Sequence, residues 1–111
     1  MSCEQIGLLP LLTGISIVKG INSITNILPG LKWPNDIMLN RKKIGGILIE
    51  SQTKNSRLGV VIGIGLNINE SPNDIPDELL GQATSLYINS GEIFNRELIL
   101  SAILNEFENL Y

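Results

Sequence analysis

The chain has 111 residues, 43% hydrophobic and 17% charged, and carries a formal net charge of −3 at pH 7. That size and composition suit one small globular domain rather than two domains or a disordered segment. The acidic balance argues against a nucleic-acid binder, and the lack of histidine with a single cysteine, Cys3, excludes an internal disulfide, a zinc site and a histidine-based triad.

No continuous apolar run reaches the roughly 18 to 20 residues of a membrane span, and no secretory signal is apparent, so no membrane partner is expected. One cysteine makes a reducing, cytoplasmic setting the default, where the glycosylation pattern Asn69-Glu70-Ser71 carries no meaning. The basic residues are uneven. Lys32, Arg41, Lys42 and Lys43 fall within twelve positions, which suggests a small anionic ligand more than a long polyanion.

In chain order, Leu8, Leu11, Leu12, Ile15, Val18, Ile21 and Ile24 recur at three- and four-residue intervals. The spacing predicts a helix over 8–27 with these residues on one face. Gly14 and Gly20 weaken it by about 1 kcal/mol each relative to alanine, so packing must hold it. Pro29-Gly30 ends it.

Strand character follows at 31–33, then at 37–39 after the turn-forming Pro34-Asn35-Asp36, with Asn40-Arg41-Lys42 as a polar turn. A longer strand is expected over 43–50, a polar loop over 51–57, and a buried strand over 58–68. Short connections without intervening helices favour an antiparallel meander. Pro72 and Pro76 bracket a loop, with a short helix at 76–80. A last helix runs from the cap residue Asn95 to about Leu110, with Ile99, Ala102, Ile103, Phe107 and Leu110 as its core stripe. The fold class is α+β: a mostly antiparallel sheet flanked by helices, in a single domain over 1–111.

Three places stand out chemically. In Lys32-Trp33-Pro34-Asn35-Asp36, proline stiffens a corner between a cation and a carboxylate, either as a plain hairpin corner or as a base for positioning charge. Lys43 precedes Gly45-Gly46, which places an ammonium near a ligand that approaches the backbone, or else is a solvated strand start. Gly63 and Gly65 alternate in a buried strand and share a face with Asn67. They form a side-chain-free trough ending in an amide, or a bulge in tight sheet packing. This is neither a dinucleotide fingerprint nor a phosphate loop, since the required third glycine and the G-K-[ST] ending are absent.

The blocks KWPNDIMLNRKKIGGILIE and VVIGIGLNIN closely resemble the central segment of biotin protein ligases in residue type, order and spacing. LLPLLTGISI before them, and ATSL and FNRELILSAILNEFENLY after them, agree more weakly. The resemblance implies part of the biotin/lipoate ligase catalytic domain, which is related to class II aminoacyl-tRNA synthetases. It implies ATP-dependent formation of biotinyl-adenylate and transfer of biotin to a lysine of a carboxylase carrier domain. By the same resemblance Lys43 contacts the biotin carboxylate and the reacting phosphate, and Gly46, Gly63 and Gly65 line the biotin pocket. Asn35 and Asn67 match nucleotide-contacting positions, Lys32 a basic residue beside them, and Asp36 the acidic residue that receives the acceptor lysine. ATP chemistry implies Mg²⁺, the partner is a biotin carboxyl carrier protein, and pairing into a homodimer is compatible with the family.

The resemblance spans only the second half of the family's catalytic domain. Nothing in 1–30 resembles the family's G-R-G-R-x-G-R loop or the preceding Ser-Thr-Asn stretch. A partial chain with impaired activity and an exposed apolar face on the first helix is therefore expected. A non-catalytic nucleotide- or biotin-binding module and a lipoate or octanoate ligase relative are the alternatives.

Overall fold

The computed structural model describes residues 3–111. Helix α1 (Cys3–Thr25) is followed by strands β1 (Gly30–Lys32), β2 (Asp36–Leu39), β3 (Lys42–Lys54) and β4 (Arg57–Leu66), then by helices α2 (Leu86–Ser90) and α3 (Arg96–Leu110). The four strands form one antiparallel sheet in the order β1-β2-β3-β4. The expected α+β meander is what forms.

Both long hairpins close on two residues in the left-handed region: Asn40 and Arg41 between β2 and β3, Asn55 and Ser56 between β3 and β4. Two central residues with φ > 0 match the right-handed twist of the flanking strands. The polar loop expected over 51–57 therefore shrinks to Asn55-Ser56, and the rest is strand. The ladder runs on from Ser51↔Val60 to Lys54↔Arg57. Those residues are exposed and held by backbone pairing alone, so hydrophobicity gave no sign of them. Strand β4 ends at Leu66, two residues short of the expected limit, because Asn67 turns off to donate its N–H to the Ile44 carbonyl.

Helix α1 stops at Thr25, where Asn26 adopts φ 61° and its N–H reaches the Asn22 carbonyl, a left-handed C-terminal cap. Its buried face matches the apolar stripe read from the sequence at Ile21 but not along its length. Leu8, Leu11 and Ile24 are exposed, while Leu9, Thr13, Ser16, Ile17 and Ile21 are buried. The small residues decide this. A Cβ on Gly20 would stand 2.8 Å from the Ile103 backbone, so α1 touches α3 through a missing side chain. Ser16 tolerates burial by donating its hydroxyl to the Leu12 carbonyl at 2.8 Å.

By length and composition, Gly7–Thr25 (mean hydropathy 1.4) is long and apolar enough to cross a membrane, although no continuous apolar run is present and 39% of it is buried in the fold. A windowed average tolerates Thr13, Ser16, Lys19 and Asn22; an unbroken run does not.

The core lies between the sheet and the helices. Ile17 and Ile21 of α1 and Ile99 and Ile103 of α3 pack on Ile37, Ile44 and Ile47, with Ile49, Ile62 and Leu66 at the margin. Asn95 caps α3 as expected, its side chain accepting from the Leu98 N–H. In the connecting region the expected helix at 76–80 is a single 3-10 turn, Asp77–Leu79, with another at Pro72–Asp74. Helix α2, capped by Ser85 on the Ile88 N–H at 3.0 Å, had no counterpart among the expected elements. Asn69 both donates to the Phe94 carbonyl and accepts from the Phe94 N–H, so its amide anchors the approach to α3.

Candidate functional site

One sheet face is covered by helices; the opposite face is open. Pairing puts Asp36, Gly46 and Gly65 in one row across β2, β3 and β4, with Leu48↔Gly63 in the next row. Partners across a ladder project to the same face, so this is a patch with three missing side chains. A Cβ on Gly65 would meet nothing within 4 Å, and one on Gly63 would only graze Leu48. The expected glycine trough is therefore an open floor, not a device for sheet packing.

Gly45 is different. A Cβ there would strike the Gly65 carbonyl oxygen and come within 2.6 Å of Leu66, so this glycine serves close strand contact.

Lys43 stands at one end of the floor. The register between β2 and β3 shifts between Ile37 and Met38, leaving Ile44 without a partner on β2 and marking a β-bulge next to the lysine. Such a bulge re-aims the flanking side chains. The Lys43 ammonium lies 3.1 Å from an Asp36 carboxylate oxygen and 3.3 Å from where a Gly46 Cβ would be. The side chains of Lys43 and Asp36 are 51% and 35% exposed, so the pair contributes at most about 1 kcal/mol and yields readily to a ligand anion.

Asn35, Asp36, Lys43 and Gly46 line a concavity of about 550 Å³ with Gly63 and Gly65, a volume typical of small-molecule sites. Ile47, Leu48 and Ile64 complete its wall. Their contribution was missed because aliphatic residues in a strand look the same whichever face they occupy. Asn35 brings a side-chain oxygen that is buried without a hydrogen-bond partner among the described residues. Its backbone is fixed meanwhile, its carbonyl accepting from the Ile47 N–H at 2.9 Å.

Six of the eight residues singled out from the sequence thus meet around one concavity. Lys32 lies beside it, paired with Asp36 in the register of β1 and β2. Asn67 departs from expectation. It lies past the end of β4 and is not in the wall; its amide nitrogen donates to the Thr84 carbonyl at 3.2 Å. Sequence reasoning also missed the segment that seats Lys43. The Lys43 N–H donates to the Gln82 carbonyl at 2.8 Å, and its carbonyl accepts from the Thr84 N–H at 2.9 Å. The segment thereby continues the sheet where β4 leaves it. A slightly larger hollow, about 590 Å³, lies at the β3–β4 hairpin tip around Asn55, where polar, exposed side chains offer no comparable floor.

The site is thus a cation paired with a carboxylate over a glycine floor, in a concavity of small-molecule size on the open face of an antiparallel sheet. Residues 4–67 match the Biotin/lipoate A/B protein ligase family, and the chain belongs to that family. It is 46% identical over 104 residues to the bifunctional ligase/repressor BirA of Bacillus subtilis, covering 93% of this chain and 32% of that protein. Among solved structures it resembles the apo biotin protein ligase of Aquifex aeolicus (TM-score 0.80, 34% identity, 96% of this chain and 46% of that one). It also resembles the same enzyme in complex with biotin and ATP (TM-score 0.77, 35% identity, 91% of this chain and 41% of that one). The chain therefore spans about a third of the curated relative and under half of the crystallised one.

Proposed function

We propose that this chain carries the biotin-activating site of a biotin protein ligase. Biotin lies along the floor of Gly46, Gly63 and Gly65, and its carboxylate meets the Lys43 ammonium. ATP is the second substrate, with Asn35 as a nucleotide contact. The observation that carries this is the seat of Lys43 over Gly46, at the head of a trough that only glycines leave open.

The chemistry needs such a cation. A carboxylate attacking a phosphate brings two anions together, and a lysine held between them lowers that repulsion and steadies the charge that develops. In the second step Asp36 receives the acceptor lysine of a biotin carboxyl carrier protein, orienting its amine and helping remove its proton. Asn67 fits a different role from the one its position in the family suggests. With one N–H of its amide donated to the Thr84 carbonyl, Asn67 orients the 82–84 segment beside Lys43 and keeps its oxygen and second N–H for a nucleotide.

No group of three or more His, Cys, Asp or Glu side chains able to hold a metal occurs among the described residues. A protein-built Mg²⁺ cage does not fit here. The ion belongs with the ATP phosphates, and no step is assigned to it.

Calorimetric titration with biotin and then ATP, followed by an assay of pyrophosphate release, tests the proposal. Biotin binding that Lys43→Ala abolishes, with slow pyrophosphate release from the chain alone, is the expected result. Asp36→Asn should spare adenylate formation and slow transfer to the carrier. Undetectable biotin binding, or binding indifferent to Lys43→Ala, would rule the proposal out and leave an inert module.

A further inference from the structure

Trp33 is the large side chain of the 32–36 corner to which the proposed chemistry gives no part. It is the only tryptophan in the chain, and it is 69% exposed. It lines neither the glycine-floored concavity nor the smaller basic hollow beside Lys32 and Arg41. Singly exposed aliphatic residues are normal on a protein surface, but an indole left in water forgoes the burial of a large apolar area.

Its neighbours fix where it is presented. Lys32 and Asp36 are partners across β1 and β2, so Trp33, Pro34 and Asn35 form the connection between the two strands. The Asn35 carbonyl accepts from the Ile47 N–H at 2.9 Å, which ties that connection to β3. Pro34 narrows the backbone freedom of Trp33 as well. On so stiff a base, little conformational entropy is lost when a partner covers the indole.

We infer that Trp33 is an anchor for the carrier protein, packing against the surface that surrounds the acceptor lysine. The inference rests on the proposal that Asp36 receives that lysine. A lysine ammonium stands only about 6 Å from its own backbone, so delivering it to Asp36 brings the carrier's surface down onto the rim of the site. Trp33 is three residues from Asp36, and their backbones are therefore no more than about 11 Å apart. Even a transient interface covers about 600 Å² on each partner, a patch reaching roughly 14 Å from its centre. Centred on Asp36, such a patch extends past Trp33. Tryptophan is also among the residue types that carry most of the binding energy at protein interfaces.

Because the chain has one tryptophan, its fluorescence reports this position alone. The intact chain is titrated with a biotin carboxyl carrier domain that contains no tryptophan and whose acceptor lysine is unmodified. Trp33 emission should shift to the blue and become shielded from acrylamide as the carrier binds. By calorimetry, Trp33→Ala should weaken carrier affinity about thirtyfold and Trp33→Phe by less. Biotin affinity should be unchanged in both variants, which also shows that they fold. Carrier binding that leaves the emission unmoved, or that is indifferent to Trp33→Ala, would overturn the inference and leave the ligase proposal standing. Biotin binding without carrier binding would do the same. So would a Trp33→Ala chain that loses affinity for ATP but keeps it for the carrier, since the indole then serves the nucleotide. A chain that binds neither biotin nor carrier would overturn both.

Discussion

The Cβ that Gly46 lacks would stand 3.3 Å from the Lys43 ammonium and 3.4 Å from its Cε. The end of the lysine side chain therefore rests on the glycine, and the site's cation is placed by an absence on the neighbouring residue. Gly46→Ala leaves the backbone free of strain, since its φ is not positive. The added methyl nonetheless shifts the ammonium by a few tenths of an ångström and raises the groove floor. Biotin affinity should fall about tenfold while stability changes by less than about 1 kcal/mol, because the displaced group is the end of a flexible, exposed chain. Calorimetry set beside thermal melts would check both halves.

Gly20 and Gly14 lie in the same helix and should respond oppositely to alanine. Either substitution gains about 1 kcal/mol of helix propensity. At Gly20 the new methyl meets the Ile103 backbone at 2.8 Å, which cannot yield without parting α1 from α3. Overpacking of about 1–3 kcal/mol should win there, giving a net loss. At Gly14 the nearest atom is the tip of Leu31, at 2.9 Å, in a half-exposed side chain that can swing away. Urea midpoints should drop for Gly20→Ala and hold or rise for Gly14→Ala.

Asn89 links the β2–β3 turn to the seat of Lys43. Its amide donates to the Thr84 hydroxyl at 2.9 Å and to the Ser85 carbonyl at 2.8 Å, while its oxygen accepts from Asn40. Thr84 in turn holds the Lys43 carbonyl. Asn89→Ala should loosen that frame locally. Hydrogen exchange at the Lys43 and Thr84 amides should quicken about tenfold, corresponding to about 1.4 kcal/mol of local stability. Exchange at Ile47 should stay as it was. A uniform rise across the sheet would mean general destabilisation instead.

Asp74 supplies the pH dependence. The Ser71 N–H and hydroxyl both donate to its carboxylate, at 2.9 and 3.0 Å, and hold its pKa below the ordinary 3.8. A depressed folded-state value means the carboxylate favours the native turn above pH 3.8, an effect lost as pH falls through the lowered pKa. Carbon-detected titration should place the Asp74 midpoint below the usual aspartate range. Ser71→Ala, which removes the hydroxyl but keeps the larger backbone contribution, should bring it only part of the way back.

By itself the sequence determined the meander, the Asn95 cap of α3 and its stripe through Ile99 and Ile103 (Leu110, expected in the same stripe, is exposed), and which six residues meet at the concavity. Apolar periodicity, turn-forming residues and paired glycines are local signals, and the backbone reads them locally. The shared face of Gly63 and Gly65 was legible as well, because a strand assigns faces by a simple alternation. Only the tertiary structure decided which row of α1 is buried, since that depends on Gly20 meeting a helix some eighty residues further along the chain. Nor did anything near Asn67 show that Thr84 would claim its amide, or that 82–84 would join the sheet beside Lys43. Those contacts join residues far apart in sequence, and they exist only once the chain has folded and each backbone group has found a partner.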